Sequence, residues 1–489
     1  MKESLGEFVR SARWFGGKGR DFRVAEVTRA GVLPGPPVMA IEMVTVEYAA
    51  SDDGAPEREL YQVPLVYYPA AEERLQHALV GFWEDEDFGP VHAYDAVHDR
   101  YANALWLQGF AAAGGPAGGT HEEGTLTFHR LPGYDLDIDV WSTPFTGEQS
   151  NSTIFFGEDS LMKLFRKVTP GHNPDIEIHA ALTRAESEHV AALYGWLEIP
   201  GEGDQPYQLG MLQQFLRTAS DGWGLALASV RDLYAEADLH ADEVGGDFAG
   251  ESHRLGIATG EVHAALAGAF PTETWGTEQM KRLAAAMRTR LDDAVRIVPE
   301  LAPHAEALRA TYDAVEAITE PVTAQRVHAD FHLGQTLRTT MGWKIVDFEG
   351  EPAKPLTERV EPDSPWRDVA GMLRSFDYAA HAVEADVDAD EEAREQISFR
   401  AMEWADRNQG EYLTGYLEAI GHGIPGGSEA PLTLDPVART LVDAYQADKA
   451  VYETVYEARN RPGWIGIPLG AIARITADRA EGTGKEEDA

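Results

Sequence analysis

The chain has 489 residues, 44% of them hydrophobic, which is enough for two or three globular domains. Its 82 acidic residues outnumber the 41 basic ones, and the formal net charge of −41 disfavours nucleic acids and anionic membranes as partners, since both attract clustered lysine and arginine. It contains no cysteine, which excludes disulfides, thiolate nucleophiles and cysteine-ligated metals. Because it has neither a signal-like start nor an apolar run of roughly 18 residues, we expect a soluble cytoplasmic protein.

Residues 1–105 alternate short apolar runs with turn signals, which predicts a small sheet-rich domain. Strands are expected at Val38–Tyr48 and 59–68, on either side of a polar, turn-rich stretch, and a helix at Leu79–Asp85 or nearby. A glycine-rich segment at 111–124 then indicates a surface loop or a linker.

Residues 106–217 carry a second set of strand signals. The runs 152–156 and 161–165 flank Gly-Glu-Asp-Ser, which predicts a hairpin with a four-residue loop. The sequence Asn-Pro-Asp at 173–175 is typical of a helix start, with an N-cap residue, a proline in the first turn and an acid at the positive end of the dipole. We expect that helix to run towards Trp196, before the chain returns as an apolar strand.

Residues 218–489 form a third domain with a mostly helical pattern. The clearest amphipathic helices are predicted at 252–269, 278–297 and 397–420. The segment 326–350 interrupts them as a loop followed by a short strand. The acidic run 384–395 is predicted to be a solvated loop or helix face rather than an interaction tail.

The strongest chemical signal lies in the third domain. The segment 328–335 reads His-Ala-Asp-Phe-His-Leu-Gly-Gln, and an apolar strand follows that ends in Asp347. Phosphoryl transfer needs one carboxylate at the acceptor hydroxyl, and a second carboxylate with an amide oxygen to hold Mg²⁺ against the nucleotide phosphates. This pattern therefore makes Asp330 the candidate catalytic base and Gln335, Asp347 and Glu349 the candidate magnesium ligands.

The two histidines of this segment allow another interpretation. With Asp330 between them, His328 and His332 resemble part of a metal site, but a third ligand of the same kind is not found nearby. A His-x-Asp triplet alone occurs by chance; the full loop with its following Asp-Phe-Glu is far more specific, and it favours phosphoryl transfer.

A lone lysine in an apolar strand points to the same chemistry. Only nine basic residues are lysines, and Lys163 stands in the run Leu-Met-Lys-Leu-Phe. A buried lysine is costly without a carboxylate partner, which favours a pairing with the helix that follows. We expect Glu177 to be the partner, with Glu186 as the rival; the alternative is an edge-strand lysine that points to solvent.

The nucleotide contacts are predicted from the strands around Lys163. The polar segment 148–152 takes the position of a phosphate-covering loop, in which Ser150, Asn151 and Ser152 would contact phosphates, although it lacks a glycine-rich pattern and an ordinary β-turn is the alternative. The strand 208–216 ends where the helical part begins, and the backbone of its last residues is the expected adenine site. Those residues are Gln213, Gln214, Phe215 and Leu216.

Asp368 follows the capped start of another helix, Ser-Pro-Trp at 364–366. It is either a surface acid that offsets the helix dipole or a buried carboxylate that braces the catalytic-loop backbone. We favour the second interpretation and place His328 beside it in the same supporting role.

Taken together, these residues resemble the actinobacterial maltokinases, which belong with the aminoglycoside-phosphotransferase-like kinases. The segments that carry the likeness are 12–20, 149–152, 173–177, 328–335, 347–352 and 367–375, which span nearly the whole chain. The resemblance implies an α+β, bilobal protein-kinase-like fold with an N-terminal sheet-rich cap. It places the cap at 1–105, a nucleotide-binding lobe at 106–217 and a helical lobe with the catalytic loop and sugar site at 218–489.

The resemblance also implies an activity: ATP- and Mg²⁺-dependent phosphorylation of maltose at its anomeric hydroxyl, giving maltose 1-phosphate for glycogen-type α-glucan synthesis. Some relatives associate with trehalose synthase. One departure is Ala329, where the wider kinase group has glycine; alanine fits most backbone conformations except those with positive φ.

Two further functions are weighed against maltose phosphorylation. A kinase of another small sugar or amino sugar, such as glucosamine, would need a carboxylate besides Asp330 for the ammonium group, and Glu349, Glu351, Asp363 and Asp377 lie close in sequence. An inactive kinase-like binding module is disfavoured by the intact lysine, base and metal residues. Candidate sugar contacts are Asp330, His332, Arg374, Tyr378, Trp404 and Tyr452, although most aromatic residues on helices belong to the core.

Overall fold

The computed structural model describes residues 1–489 except 50–56, 116, 146, 148–149, 202, 204, 236–239, 244–245, 352–353, 386–390, 422–432 and 487–489. The described chain divides into two compact units. The first unit comprises Met1–Thr183 and Ala191–Arg217, and the second comprises Arg184–Val190 and Thr218–Ala489. No helix among the described residues is both long and apolar enough to span a membrane.

The first unit begins with a helix and a sheet. Its elements up to residue 112 are α1 (Lys2–Ser11), β1 (Phe22–Leu33), β2 (Val38–Tyr48), β3 (Arg58–Tyr68), β4 (Leu79–Asp85), β5 (Gly89–Asp95) and α2 (Arg100–Ala112). The strands pair antiparallel in the order β1-β2-β3-β5-β4. Alternation along β2 gives this sheet two apolar faces. On one face, Val44 and Val46 pack in a core cluster with Leu5 of α1, and on the other face Ile41 and Met43 belong to a second core cluster.

A second sheet completes the first unit. Its elements are β6 (Gly119–Glu123), β7 (Leu126–Arg130), β8 (Ser142–Pro144), β9 (Ser152–Phe156), β10 (Ser160–Leu164), β11 (Lys167–Val168), α3 (Pro174–Arg184), β12 (Leu193–Ile199) and β13 (Tyr207–Gln214). Seven strands follow the order β6-β7-β12-β13-β10-β9-β8, and β11 pairs instead with β3. Ile41 and Met43 of β2 share a core cluster with Phe128 and Ile154 of this sheet, so the N-terminal domain packs on it.

Two expectations for this unit were wrong. Leu79–Asp85 is the strand β4, not a helix, because its valine and two aromatic residues favour an extended chain, and its buried residues are Val80, Trp83 and Asp85. A short 3₁₀ helix, Glu73–Ala78, directly precedes this strand. The helix that starts after Asn173 ends at Arg184, and Trp196 lies in β12. The predicted hairpin is confirmed as β9–β10, with its loop one residue shorter, since Ser160 pairs with Phe156.

The second unit is mainly helical. Its elements are β14 (Ser220–Asp221), α4 (Gly222–Ala235), α5 (Ala249–Ala269), β15 (Glu273–Trp275), α6 (Thr277–Ile297), α7 (Ala305–Glu316), β16 (Val322–Ala324), β17 (Thr336–Thr339), β18 (Gly342–Ile345), α8 (Leu356–Arg359), α9 (Trp366–Ala385), α10 (Glu391–Ile420), α11 (Pro436–Asn460) and α12 (Gly466–Glu486). The three predicted amphipathic helices are confirmed as α5, α6 and α10. The strand expected before residue 350 is one arm of the hairpin β17–β18. Part of the acidic run 384–395 lies outside the described residues.

Close helix packing positions the catalytic segment. A methyl group on Gly256 of α5 would collide with the Tyr412 carbonyl, and one on Gly415 of α10 would collide with the His253 carbonyl, so glycine lets these helices touch backbone to backbone. The loop 325–335 lies between α5 and α9: Gln325 Nε2 donates to the His263 carbonyl at 2.8 Å, and the Leu333 N–H donates to Ser375 Oγ at 3.0 Å.

Candidate active site

The catalytic segment of the second unit is held by a buried carboxylate. Asp368 is 1% exposed, and it accepts hydrogen bonds from the backbone N–H groups of His328 at 2.7 Å and Ala329 at 2.8 Å. Its Oδ2 atom also lies 3.1 Å from Nε2 of the buried His263. Burial opposes ionisation, but the hydrogen bond and charge of His263 and the backbone donors outweigh it and lower the pKa of Asp368. Asp368 thus braces the loop as an anion.

The two loop residues bound to Asp368 differ in backbone strain. Ala329 has φ +69°, in the left-handed region that glycine occupies most easily. His328 is buried and lies 3.0 Å through Nε2 from the Val346 carbonyl, next to Asp347. The loop and the end of β18 are therefore connected through the His328 ring.

Asp330 follows the strained residue and faces a lysine. Lys449 Nζ, on α11, donates to Asp330 Oδ1 at 3.0 Å, and 25% of the aspartate side chain is exposed. Burial opposes ionisation of Asp330, but the charge of Lys449 lowers its pKa, and the aspartate in turn helps to raise the pKa of the lysine against burial. Asp330 is therefore an anion at neutral pH and able to accept a proton.

His332 lies close to this pair. Its Nδ1 accepts a hydrogen bond from the Gly334 N–H at 3.1 Å, which leaves the ring proton on Nε2. Burial lowers the pKa of His332, although Asp330 opposes the shift, so the ring is neutral. A neutral histidine can donate from Nε2 to a hydroxyl without adding charge to the site.

The candidate metal ligands Gln335 and Asp347 are in contact. Gln335 Nε2 lies 3.3 Å from Asp347 Oδ2, and the Val346 N–H donates to the Gln335 carbonyl at 3.0 Å. With its nitrogen used in that contact, Gln335 would ligate a cation through its side-chain oxygen. Together with the half-buried carboxylate of Glu349, this is an all-oxygen donor set, which suits Mg²⁺.

A cavity of about 250 Å³ opens beside Asp330 within the second unit. Four carboxylates line it, together with four cations and Tyr452, and these residues are Asp330, Glu351, Asp363, Asp448, Arg290, Lys354, Arg367 and Lys449. Its volume is below the about 300–1,000 Å³ of sites for drug-sized ligands, so it suits a small polar molecule.

The ion pairs of the cavity are of unequal strength. Arg290 binds Asp448 through two bonds of 2.9 and 2.7 Å, and Arg367 binds Asp363 at 2.8 Å. Glu351 has the longer contacts, 3.1 Å to Arg367 and 3.5 Å to Lys354. Glu351 therefore has the longest contacts with its cation partners among the carboxylates of the cavity.

The remaining sugar candidates divide between this cavity and the protein interior. Tyr452 is 40% exposed and lies in the cavity, with the Lys449 ammonium 5.3 Å from its ring centroid. Trp404 is 2% exposed and packs on Phe248. Tyr378 is largely buried and bonds Glu457, and Arg374 is enclosed between Asp377 and Glu453. The structure thus places these last three in packing and ion-pair networks outside the Asp330 cavity.

In the first unit, Lys163 of β10 forms an ion pair with α3. Its Nζ lies 2.7 Å from Oδ2 of Asp175, a first-turn residue that is 1% exposed. Burial opposes ionisation of Asp175, but the charges of Lys163 and His179 lower its pKa well below the usual range. The sequence pattern predicted Glu177, which is half-buried two residues further along; the rival Glu186 lies beyond the helix end and is exposed.

The phosphate-loop candidates lie at the start of β9. Ser150 is exposed, while Asn151 and Ser152 are half-buried, and Gln149 of the family motif lies outside the described residues. Ser152 Oγ accepts a hydrogen bond from Arg166 Nε at 2.7 Å. A hydroxyl held in this way has a fixed position at the stem of the loop.

The adenine candidates lie at the end of β13. The Gln214 N–H donates to the Ala192 carbonyl at 2.8 Å and the Phe215 N–H to the Asp159 carbonyl at 2.9 Å. Gln213 Oε1 is buried and has no hydrogen-bond partner among the described residues, and Leu216 is half-buried. The chain passes into the second unit directly after Arg217.

The chain is similar in sequence to proteins of known function. Residues 8–99 match the family model of the maltokinase N-terminal cap domain. The glucosamine kinase of Streptacidiphilus jiangxiensis is 28% identical over 457 residues, which covers 85% of this chain and 96% of that protein. A glucosamine kinase of Mycolicibacterium smegmatis is 28% identical over 349 residues, covering 68% and 79%.

Solved structures agree on the fold. A glucosamine kinase in complex with glucosamine, ADP and inorganic phosphate superposes with a TM-score of 0.65 at 21% identity, covering 97% of this chain and 100% of that one. The chain therefore has the bilobal kinase-like fold with a sheet-rich N-terminal cap that the resemblance implied.

The sequence patterns did not identify three residues of the site. Asp175 was interpreted only as a dipole-compensating acid at a helix start, and His263 and Lys449 gave no motif of their own. Lys449 is 119 residues from Asp330, and His263 is 105 from Asp368, so neither contact has a local signal. The rarity of lysine was the one signal that could have identified Lys449.

Proposed function

We propose that this chain is an ATP- and Mg²⁺-dependent sugar kinase whose acceptor is a small amino sugar, best represented by glucosamine. The observation that carries the proposal is the small cavity beside Asp330, in which four carboxylates are paired with four cations and Glu351 has the longest of these contacts. The curated relatives at 28% identity, which are glucosamine kinases, support it.

The residues of the second unit support phosphoryl transfer to a hydroxyl. Asp330, ionised beside Lys449, is positioned to accept the hydroxyl proton, and Asp368 holds the backbone that presents it. Gln335, Asp347 and Glu349 would hold Mg²⁺, which neutralises charge on the transferred phosphoryl group. In the first unit, the Lys163–Asp175 pair would orient the nucleotide phosphates.

The acceptor preference rests on charge. An ammonium group needs a carboxylate partner, and it could replace one of the two cations that contact Glu351, since these contacts are the longest in the cavity. Tyr452 offers an apolar ring face to the sugar, close to Glu351 and Asp330. A glucosamine molecule would then be oriented at two points, its ammonium group and one ring face.

Maltose is the second candidate, because the cap model carries that name and the sequence motifs resemble maltokinases. The matched residues 8–99 include none of the cavity residues, so the cap match bears on the family more than on the acceptor. Association with trehalose synthase stays a prediction of the resemblance.

The test measures kcat/KM for glucosamine, N-acetylglucosamine, glucose and maltose with ATP and Mg²⁺. ADP release reports turnover, and ³¹P NMR identifies the products. Glucosamine should lead, and acetylation, which removes the ammonium charge, should cost about 10–100-fold. Glu351→Gln should reduce the difference in kcat/KM between glucosamine and glucose. Preferred phosphorylation of maltose at its anomeric oxygen would instead establish the second candidate.

A further inference from the structure

Lys449, the partner of Asp330, has a second carboxylate on its own helix. Glu453 follows it by four residues on α11, and side chains four residues apart lie on the same face of a helix. Burial lowers the pKa of Lys449, but the charges of Asp330 and Glu453 both raise it. The ammonium group nevertheless donates to Asp330, at 3.0 Å. The other contacts of Glu453 therefore bear on the candidate base.

Arg374 of α9 binds Glu453. This arginine is 2% exposed; its Nη2 and Nε donate to Glu453 Oε2 at 2.6 and 3.3 Å, and its Nη1 donates to Asp377 Oδ2 at 2.5 Å. Asp377 also accepts a hydrogen bond from Arg474 of α12, at 2.5 Å. Asp377 thus has a second arginine, whereas Glu453 has Arg374 and, one turn back on its own helix, Lys449.

The helix that carries Arg374 also supports the catalytic loop. Ser375, the next residue, accepts a hydrogen bond from the Leu333 N–H at 3.0 Å. A methyl group on Gly371 would lie 2.6 Å from the Phe331 carbonyl oxygen, so the loop rests directly on α9. One helix therefore holds both the loop that presents the candidate base and the second carboxylate within reach of its lysine.

We propose that Arg374 is a positioning residue, which binds Glu453 and thereby leaves the Lys449 ammonium group to Asp330. The side chain of Glu453 is 14% exposed and that of Asp330 is 25% exposed, so water compensates the charge of Glu453 less. Without Arg374, the flexible lysine should therefore turn to Glu453. The inference rests on the proposed function in one respect, which is that Asp330 acts as the base.

This competition depends on pH. Burial raises the pKa of Glu453, and the charge of Arg374 opposes that rise. Other titratable groups near this carboxylate are Lys449, Asp377 and Tyr378. Removing the arginine raises the pKa of Glu453 further, and Glu453 attracts the lysine only where it is ionised. The competition should consequently be strong at about pH 9 and weak at about pH 6.

The first experiment shows which carboxylate the lysine binds. The chain has nine lysines, so NMR of protein labelled with ¹³Cε-lysine gives few signals, and the signal of Lys449 is the one that Lys449→Met removes. In the parent at about pH 9, Asp330→Asn should shift this signal more than Glu453→Gln does. In the Arg374→Met background, Glu453→Gln should cause the larger shift. An unchanged order in that background would overturn the proposal.

Tyr378→Phe is the matched control. It removes the next contact between α9 and α11, the hydrogen bond from Tyr378 to Glu457, and leaves Arg374 in place. The Lys449 signal of this variant should respond to Asp330→Asn as it does in the parent. If Tyr378→Phe released the lysine as well, general loosening of the two helices would explain the result and the role of Arg374 would be refuted.

Turnover provides the second readout. For Arg374→Met, kcat should fall about fivefold at about pH 9 and change little at about pH 6, with KM for ATP within about twofold of the parent. Arg374→Met/Glu453→Gln, which removes the competing carboxylate, should recover kcat at the higher pH. An equal loss at both pH values, or no recovery in the double variant, would contradict the proposal.

Arg374→Gln serves if Arg374→Met does not fold, because it keeps an N–H donor for Glu453 and removes the charge. It should give the same order of NMR shifts as Arg374→Met, and the parental order would overturn the proposal. A chain that phosphorylates no sugar would contradict the proposed function, and the NMR comparison would still decide on Arg374.

Discussion

Replacing Ala329 by glycine should stabilise the second unit. Ala329 is held at φ +69° by the hydrogen bond from its N–H to Asp368, and a left-handed backbone costs an L-residue about 1–2 kcal/mol. Glycine removes that strain but gains about 0.5–1 kcal/mol of freedom in the unfolded chain. The difference predicts a gain of about 0.5–1 kcal/mol, or about 1–3 °C in the Tm of this unit.

Urea unfolding followed by tryptophan fluorescence measures this gain. The control is Ala285→Gly, the same substitution at an exposed position of the right-handed helix α6, which should cost about 1 kcal/mol. The two variants should therefore shift the midpoint in opposite directions. If Ala329→Gly destabilised the chain as much as Ala285→Gly, the positive φ would carry no strain and the reasoning would be refuted.

Three further variants test the charges of the site. Lys163→Ala should lower kcat/KM for ATP by about 10²-fold, since the phosphates lose their orienting cation. Steady-state kinetics at varied ATP concentration measures this, and a kcat/KM equal to that of the parent would contradict the prediction. Lys449→Met should move the acid limb of the kcat profile to higher pH by about one unit or more, because burial alone raises the pKa of Asp330 once the lysine charge is gone; an unmoved limb would exclude Lys449 as the cause. Asp368→Asn should cost about 1–3 kcal/mol of unfolding free energy at pH 7. The folded-state pKa of Asp368 is lowered, so its contribution is present above the unfolded value of about 3.9 and fades as the pH falls below it; a difference that grew in acid would contradict this.

Local signals were enough for the elements with strong periodicity or caps. The Asn173 cap is confirmed, since its side chain accepts from the Asp175 N–H at 2.8 Å, and the long amphipathic helices occur where 3.6-residue periodicity placed them. The errors at Leu79–Asp85 and around Trp196 fall on short runs whose state is decided by pairing with β5, β7 and β13. Such pairing has no local signature.

The site shows the same limit. The motif predicted that Gln335 lies beside Asp347 and that Asp368 lies under the loop, because these residues are close in sequence, on one loop and one helix. Lys449 and His263 come from helices that tertiary packing alone brings to the loop. Asp175 was recognised as a helix-start residue, and only the register of β10 against the rest of its sheet shows that Lys163 reaches it.

The most direct test of the central claim is phosphate transfer from γ-labelled ATP to glucosamine by the parent and by Asp330→Asn. The variant keeps the shape of the side chain but cannot accept the hydroxyl proton. Turnover should fall by about 10²–10⁴-fold while the dissociation constant of an ATP analogue stays at the parent value. Turnover within about threefold of the parent would contradict the assignment of Asp330 as the base of a sugar kinase.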